Sequence, residues 1–218
     1  ADAVEPLGTK AKFWYREDDR RILFKAEERG TGEDWAEKVG CELCELLGLP
    51  HVHYDLAFEV DQKLPGVVCD NIAHRPPWLA HGNQLMLDHD SAYPAEEGRK
   101  YKVREHTVDA VAAVVGTLEM PIAPWSASIP DGITSALGVF AGYAMIDAWI
   151  ANQDRHHENW AALKAADGSL SLAPTFDHGA SLARNVSDEE KEERMTTKDH
   201  RRTVAHFARR ARSAFYED

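Results

Sequence analysis

Positive charge is scarce in this sequence: 25 Lys and Arg stand against 37 Asp and Glu, a formal net charge of −12. A protein that chiefly binds nucleic acid or an anionic membrane needs a cationic surface, so neither partner is expected, and any phosphate site must be a local basic feature. Cysteine is scarce too. Three cysteines build no disulfide scaffold, and no second Cys pair closes a zinc site around Cys41 and Cys44. Those two read as small apolar residues on one helix face, and a reducing, cytoplasmic setting is expected. Long apolar runs are missing as well. The longest, residues 133–150, contains Thr134, Ser135 and Asp147, and no basic segment precedes an apolar run at the N-terminus. Neither membrane insertion nor a signal peptide is expected.

What is present suffices for one compact unit, cleft in the middle, since 218 residues that are 44% apolar bury one substantial core or two small lobes. Residues 10–15 and 20–25 flank the polar turn Arg16-Glu17-Asp18-Asp19, which predicts a hairpin. From Asp34 the period becomes helical, with Trp35, Val39, Leu43, Leu46 and Leu47 as the apolar stripe, Thr31 or Asp34 as N-cap, and Gly48 with Pro50 as the stop. Residues 51–60, 67–72 and 84–87 read as strands completing an antiparallel sheet on that helix.

After Tyr93-Pro94 the pattern turns helical, at 108–118 and at 133–150, the latter apolar almost all round as a buried central helix is. A short hairpin at 160–164 and 169–173 interrupts this half; 187–202 reads as a charged, solvated loop and 203–215 as a basic terminal helix. The expected class is α+β. A β-rich half with one helix (1–88) precedes a helical half carrying the hairpin (89–218).

The informative string is Asn152-Gln153-Asp154-Arg155-His156-His157-Glu158-Asn159, followed eighteen residues after Asn159 by Asp177 in Phe176-Asp177-His178-Gly179. Phosphoryl transfer from ATP needs a carboxylate to orient the acceptor hydroxyl and hard oxygen ligands to hold Mg²⁺ against the phosphates. Asp154 with Asn159 five residues later supplies the first role and one metal ligand; Asp177, past the hairpin, supplies the second ligand. His156 either assists proton transfer or structures the loop, whereas His157 and His178 read as packing or hydrogen-bonding residues. Asp147, seven residues before Asp154 on an apolar helix, is costly to bury unpaired and is expected to hold the loop backbone or Arg155.

Asp154-Arg155-His156 with Asn159 and Phe176-Asp177-His178-Gly179 resemble the catalytic and metal loops of HipA-like kinases, and the Asp-Arg-His core is similar to that of phosphatidylinositol 3- and 4-kinases. Gly8-Thr9-Lys10, the strand Ile22-Leu23-Phe24-Lys25 and Gly32-Glu33-Asp34-Trp35-Ala36-Glu37 are similar to the amino-terminal lobe of small bacterial members. The resemblance implies a bilobal protein-kinase-like fold, ATP and Mg²⁺ as cofactors, and a protein Ser or Thr hydroxyl as acceptor. In that reading Gly8, Thr9 and Lys10 form a phosphate turn, Lys25 pairs with Glu37, and the adenine lies near Leu87 and His89. The helical half is short for the family, implying a minimal member or missing carboxy-terminal helices.

Three other classes stay open: a lipid or small-molecule kinase, a non-catalytic nucleotide-binding scaffold, and a metal phosphohydrolase built on His89-Asp90 and the other histidines. Arg201, Arg202, His206, Arg209, Arg210 and Arg212 are expected to pair with the acidic run 188–193 or with solvent, and Thr196 and Thr197 lie where an activation segment would be phosphorylated.

Overall fold

The computed structural model describes residues 3–4, 12–27, 30–73, 77–95 and 100–217. Gly8, Thr9 and Lys10 lie outside the described residues. The first sheet has five antiparallel strands in the order β1-β2-β3-β5-β4: β1 (Ala3–Val4), β2 (Lys12–Glu17), β3 (Arg20–Ala26), β4 (Tyr54–Glu59) and β5 (Leu64–Asp70). The β2–β3 hairpin closes at Glu17 opposite Arg20, leaving Asp18-Asp19 as a two-residue turn, with Asp18 at φ 52°. Asp tolerates that left-handed backbone better than most residues. Along β3, Ile22, Phe24 and Ala26 bury one face, which by the two-residue period puts Leu23 and Lys25 on the other.

Helix α1 (Glu33–Leu47) crosses that second face and ends at Gly48, whose φ of 67° suits glycine. Its buried side matches the expected apolar stripe only in part: Leu43 and Leu47 are half-buried against the main core. Ala36, Glu37, Gly40, Cys41 and Cys44 face inward, while Trp35, Val39 and Leu46 are exposed, Leu46 by 81%. A methyl group on Gly40 would stand 3.0 Å from His178 Cβ, so α1 approaches the Asp177 loop through its small residues. Nor does Thr31 or Asp34 cap the helix. Gly32 occupies the N-cap position, and the carboxylate of Glu27, just past β3, accepts the Glu33 N–H.

The expected strand at 84–87 is a helix. Here α2 (Gly82–His89) runs through the expected boundary at residue 88, and it is the preceding β6 (Trp78–His81) that is extended. That strand does not extend the first sheet. It pairs with β7 (Ala161–Lys164), which pairs with β8 (Leu170–Leu172), giving a second, three-stranded sheet around the expected hairpin. A Cβ on Gly82 would lie 2.5 Å from the His157 carbonyl, so a glycine is what lets α2 start against the loop that carries His157.

The helical half continues with α3 (Val108–Val115), capped by Thr107, and α4 (Ala136–Trp149), capped by Ser135. Its core joins Val111, Val114 and Val115 to Val139, Phe140, Tyr143, Ile146, Trp160 and Leu172. Although α4 is apolar all round, only one face is buried; Met145 and Trp149 are exposed by 53% and 63%. The charged stretch expected as a loop forms α5 (Asp188–Thr196). Ser187 caps it, three acidic residues fill its first turn, and Arg194 lies in its last, an order the helix dipole favours. The basic terminal helix is shorter than expected, α6 (Val204–Arg210), and Arg202 pairs with Glu193 of the acidic run at 2.6 Å.

Two buried histidines make the fold acid-sensitive. His106 donates from Nδ1 to the Ala214 carbonyl and accepts from Trp160 Nε1 at 3.1 Å, and burial pushes its pKa down to about 4. His178 faces Thr175 Oγ1 at 3.1 Å; burial, then the neighbouring Arg155, pushes it down to about 3. The unfolded chain protonates both near pH 6.5 and the folded chain neither, so stability is full above that pH and is lost as pH falls. Between pH 6.5 and 4 the unfolding free energy is expected to drop by up to ~2.7 kcal/mol per pH unit. Urea titrations at several pH values check this; a flat profile over that interval would contradict it.

Candidate active site

Lys25 is the meeting point of both halves. Its Nζ lies 3.2 Å from Glu37 Oε1 on α1, 3.3 Å from the Tyr54 hydroxyl on β4 and 3.1 Å from Asp177 Oδ1. Burial works against a charged lysine here, but Asp177, Tyr54 and Glu37 outweigh it and hold the ammonium well above its usual pKa. Burial likewise works against the Asp177 carboxylate, and Lys25 and Lys12 outweigh it, keeping the group ionised far below the usual range. Its side chain stays 42% exposed. Asp177 also sits at φ 63°, a left-handed conformation uncommon outside glycine.

Lys12 stands directly opposite Lys25 across the β2–β3 ladder. Like charges facing each other on neighbouring strands repel, an arrangement that an anion between them reverses. Lys12 carries no motif of its own, unlike Lys10 in Gly8-Thr9-Lys10; its place follows from the register fixed by the Asp18-Asp19 turn.

Asp154 and Asn159 share one loop. Asn159 Nδ2 donates to the Asp154 carbonyl at 2.6 Å, which fixes the amide with Oδ1 as its acceptor end. Arg155 then joins this loop to the one carrying Asp177. Its Nη1 donates to the Asn159 carbonyl and, at 2.8 Å, to the Phe176 carbonyl next to Asp177. The guanidinium is 2% exposed and rests on Asp147, through Nε at 2.7 Å and Nη2 at 2.9 Å, while Asn152 Nδ2 donates to the same carboxylate at 2.8 Å. Burial would raise the Asp147 pKa, but Arg155 prevails and lowers it. The expected partner of Asp147 is therefore the observed one.

Asp147→Asn strips a buried arginine of its counter-charge and is expected to cost about 3 kcal/mol of unfolding free energy. It should lower turnover without abolishing nucleotide binding. A denaturation midpoint and turnover equal to those of the wild type would contradict this role.

Tyr101 covers Asp154. The Tyr101 hydroxyl donates to its Oδ1 at 2.5 Å, with the Tyr101 ring edge-on to His156, and next door Lys100 Nζ pairs with Glu158 at 2.8 Å. No sequence motif marks Tyr101. His156 accepts the Glu158 N–H at Nδ1, and its Nε2 lies 3.8 Å from Asp154 Oδ1; burial lowers its pKa. His157 is held by the Tyr93 hydroxyl at 2.8 Å.

Leu87 and His89 fall in the last turn of α2, and among the described residues no hydrogen bond or ion pair joins either to Lys25, Asp154, Asn159 or Asp177. Leu79 on β6 is closer to the site, packing with Ala161, Leu163 and Ala173 in the cluster that includes Phe176. A cavity of about 480 Å³ opens elsewhere, between the end of α3 and the start of α4, lined by Leu118, Glu119 and Ala136 among others.

The candidate site thus sets a sheet lysine, paired to a helix glutamate, facing an acidic loop. Among solved structures, a Helicobacter pylori proinflammatory kinase, CtkA, is similar over 90% of this chain, with a TM-score of 0.65 and 18% identity. The chain has a kinase-like fold. It spans 65% of that kinase's length. HipA of Shewanella oneidensis MR-1, solved with HipB and operator DNA, is similar with a TM-score of 0.48 and 12% identity, over 80% of this chain and 43% of that one. No protein-family model and no curated protein matches the sequence. Three cysteines are free and buried, and among the described residues no helix is long and apolar enough to cross a membrane.

Proposed function

We propose that this kinase-like chain is an ATP-dependent phosphotransferase, a HipA-like kinase that phosphorylates a Ser or Thr hydroxyl on a protein in the cytoplasm. The observation that carries the proposal is Lys25 Nζ held between Glu37 and Asp177, at 3.2 and 3.1 Å, one loop away from Asp154 and Asn159. Asp177 and Asn159 offer a carboxylate and an amide oxygen, hard ligands that suit Mg²⁺. Bound there, the ion supplies charge neutralisation at the β- and γ-phosphates.

The chain's own residues do the rest. Lys25 and Lys12 bind the phosphate oxygens, with Gly8, Thr9 and Lys10 as further contacts. Asp154 orients the acceptor hydroxyl and takes its proton, a geometry in which its Oδ1 already accepts a hydroxyl from Tyr101. His156, an acceptor at Nδ1 and so a donor at Nε2, steers the Asp154 carboxylate rather than moving the proton itself. The adenine is assigned to the β6–α2 segment between Leu79 and His89, which includes Leu87, because His81 on that segment meets Phe176 edge-on with ring centroids 6.2 Å apart.

Tyr101 occupies the place of the acceptor hydroxyl and competes with it. Tyr101→Phe removes one hydrogen bond to a carboxylate and is expected to raise kcat/KM for the acceptor roughly fivefold. Initial rates at low acceptor concentration read this; an unchanged or lower rate would contradict it.

The direct test is incubation of the purified chain with Mg²⁺ and γ-labelled ATP in a lysate of the source cells, beside Asp154→Asn. Label on protein, lost in the variant, supports the proposal. Label on an extracted small molecule points to a lipid or metabolite kinase, and no transfer points to a scaffold.

A further inference from the structure

The elbow between α1 and β4, on the far side of Glu37 from the cleft residues, gathers one cysteine and two histidines. Cys41 Sγ and one ring nitrogen each of His51 and His53 lie within 4.8 Å of one another. Cys41 Sγ is 3.8 Å from His53 Nδ1. Each imidazole already spends its other nitrogen on an acceptor. His51 Nδ1 donates to the Leu49 carbonyl at 2.7 Å, and His53 Nε2 lies 3.4 Å from the Asp55 carboxylate. A carbonyl or carboxylate on one ring nitrogen fixes the tautomer and leaves the lone pair on the other, as around metal-bound histidines.

Those lone pairs converge on the sulfur side of the elbow. His53 Nδ1 accepts from the Cys41 thiol, and His51 Nε2 lies 3.5 Å from Glu45 Oε2, so a cation that displaces the thiol proton finds one sulfur and two ring nitrogens already gathered beside a carboxylate. The backbone N–H of Tyr54 donates to Cys41 Sγ at 3.4 Å, a contact that favours thiolate. A tetrahedral zinc with its usual bond lengths sets ligand atoms roughly 3.3–3.8 Å apart, so closing the cluster needs movements of about 1 Å.

We propose that Cys41, His51 and His53 bind one Zn²⁺, with the fourth tetrahedral position turned toward Glu45. One thiolate and two imidazoles suit a borderline-soft ion and do not suit Mg²⁺ or Ca²⁺, which require oxygen. No sequence spacing marks this site, because Cys41 lies on α1 and both histidines on the segment leading into β4.

The position gives the ion leverage. Cys41 follows Glu37 by one turn of α1, and the segment holding His51 is bonded to the approach to Asp177, through Val52 N–H to the Thr175 carbonyl and Thr175 N–H to the Pro50 carbonyl, both at 2.9 Å. Zinc would therefore tie α1 to the strand edge beside the Asp177 loop. The site rests on nothing in the phosphotransfer reading.

The test is titration of the metal-free full chain with Co²⁺, without nucleotide. One equivalent is expected, with tetrahedral d–d bands and a thiolate-to-cobalt charge-transfer band, displaced by Zn²⁺. Cys41→Ser should remove that band and Cys44→Ser should keep it. His53→Ala changes a ring that is 64% exposed, so it folds. It should weaken Zn²⁺ by more than the roughly 10–100-fold that loss of an outer hydrogen-bond partner brings. Absence of the band, its survival in Cys41→Ser, or unchanged affinity in His53→Ala would overturn the proposal.

Discussion

Asp177→Asn is expected to lower phosphoryl transfer about 10³-fold while leaving the chain folded. The carboxylate is the ligand with a full negative charge in the proposed set, and Lys25 holds it ionised despite its surroundings. An amide keeps the shape and loses the charge that faces both the lysine and the metal. Because this side chain is 42% exposed, the lost ion pair with Lys25 changes stability by no more than ~1 kcal/mol. Single-turnover rates at saturating Mg²⁺, read beside a denaturation curve, separate the two effects. A variant that is folded and still transfers phosphate at the wild-type rate would remove Asp177 from the site.

Asp154→Asn should cost 10²- to 10⁴-fold, roughly the range of general-base catalysis, and should do so in kcat with little change in the KM for ATP. The reason lies in the geometry. Asp154 points its Oδ1 at a hydroxyl, that of Tyr101, and its carbonyl is tied to Asn159, so the variant retains the loop but no longer has a base. The expectation differs from that for Asp177, where weaker Mg-ATP binding accompanies the loss of rate. Steady-state kinetics with ATP and Mg²⁺ varied independently distinguish them. A rise in KM for ATP with unchanged kcat would place Asp154 in nucleotide binding instead.

Much of the fold was legible in the sequence wherever local chemistry and tertiary need agree. The β2–β3 hairpin follows from its Asp turn, α1 stops at Gly48, and the β7–β8 hairpin follows from short apolar runs around Asp167-Gly168. Reading failed where the site overrides the pattern. In α1 Trp35, Val39 and Leu46 are exposed while Leu43 and Leu47 pack on the core, because Glu37 has to reach Lys25 and Gly40 has to admit His178, which turns the polar and small face inward. Residues 84–87 were too short a run to tell strand from helix by periodicity, and the Gly82 contact that starts α2 depends on residues 75 or more positions away.

The site was legible to a different extent. Asp147 could be assigned a partner because a carboxylate on an apolar helix has few ways to be buried, and Arg155 is that partner. Lys12 and Tyr101 could not be found that way. Each acquires meaning only through register or tertiary approach, Lys12 by lying across from Lys25 and Tyr101 by its hydroxyl on Asp154. The same holds for Cys41, His51 and His53, which a helix end and a strand start bring together.

Equilibrium titration of ATP into the purified chain, with and without Mg²⁺, tests the convergence of Lys25, Asn159 and Asp177 most directly. One site is predicted, tightened by Mg²⁺ in the wild type and indifferent to Mg²⁺ in Asp177→Asn. Binding that ignores the metal in the wild type, or no binding at all, would contradict the account.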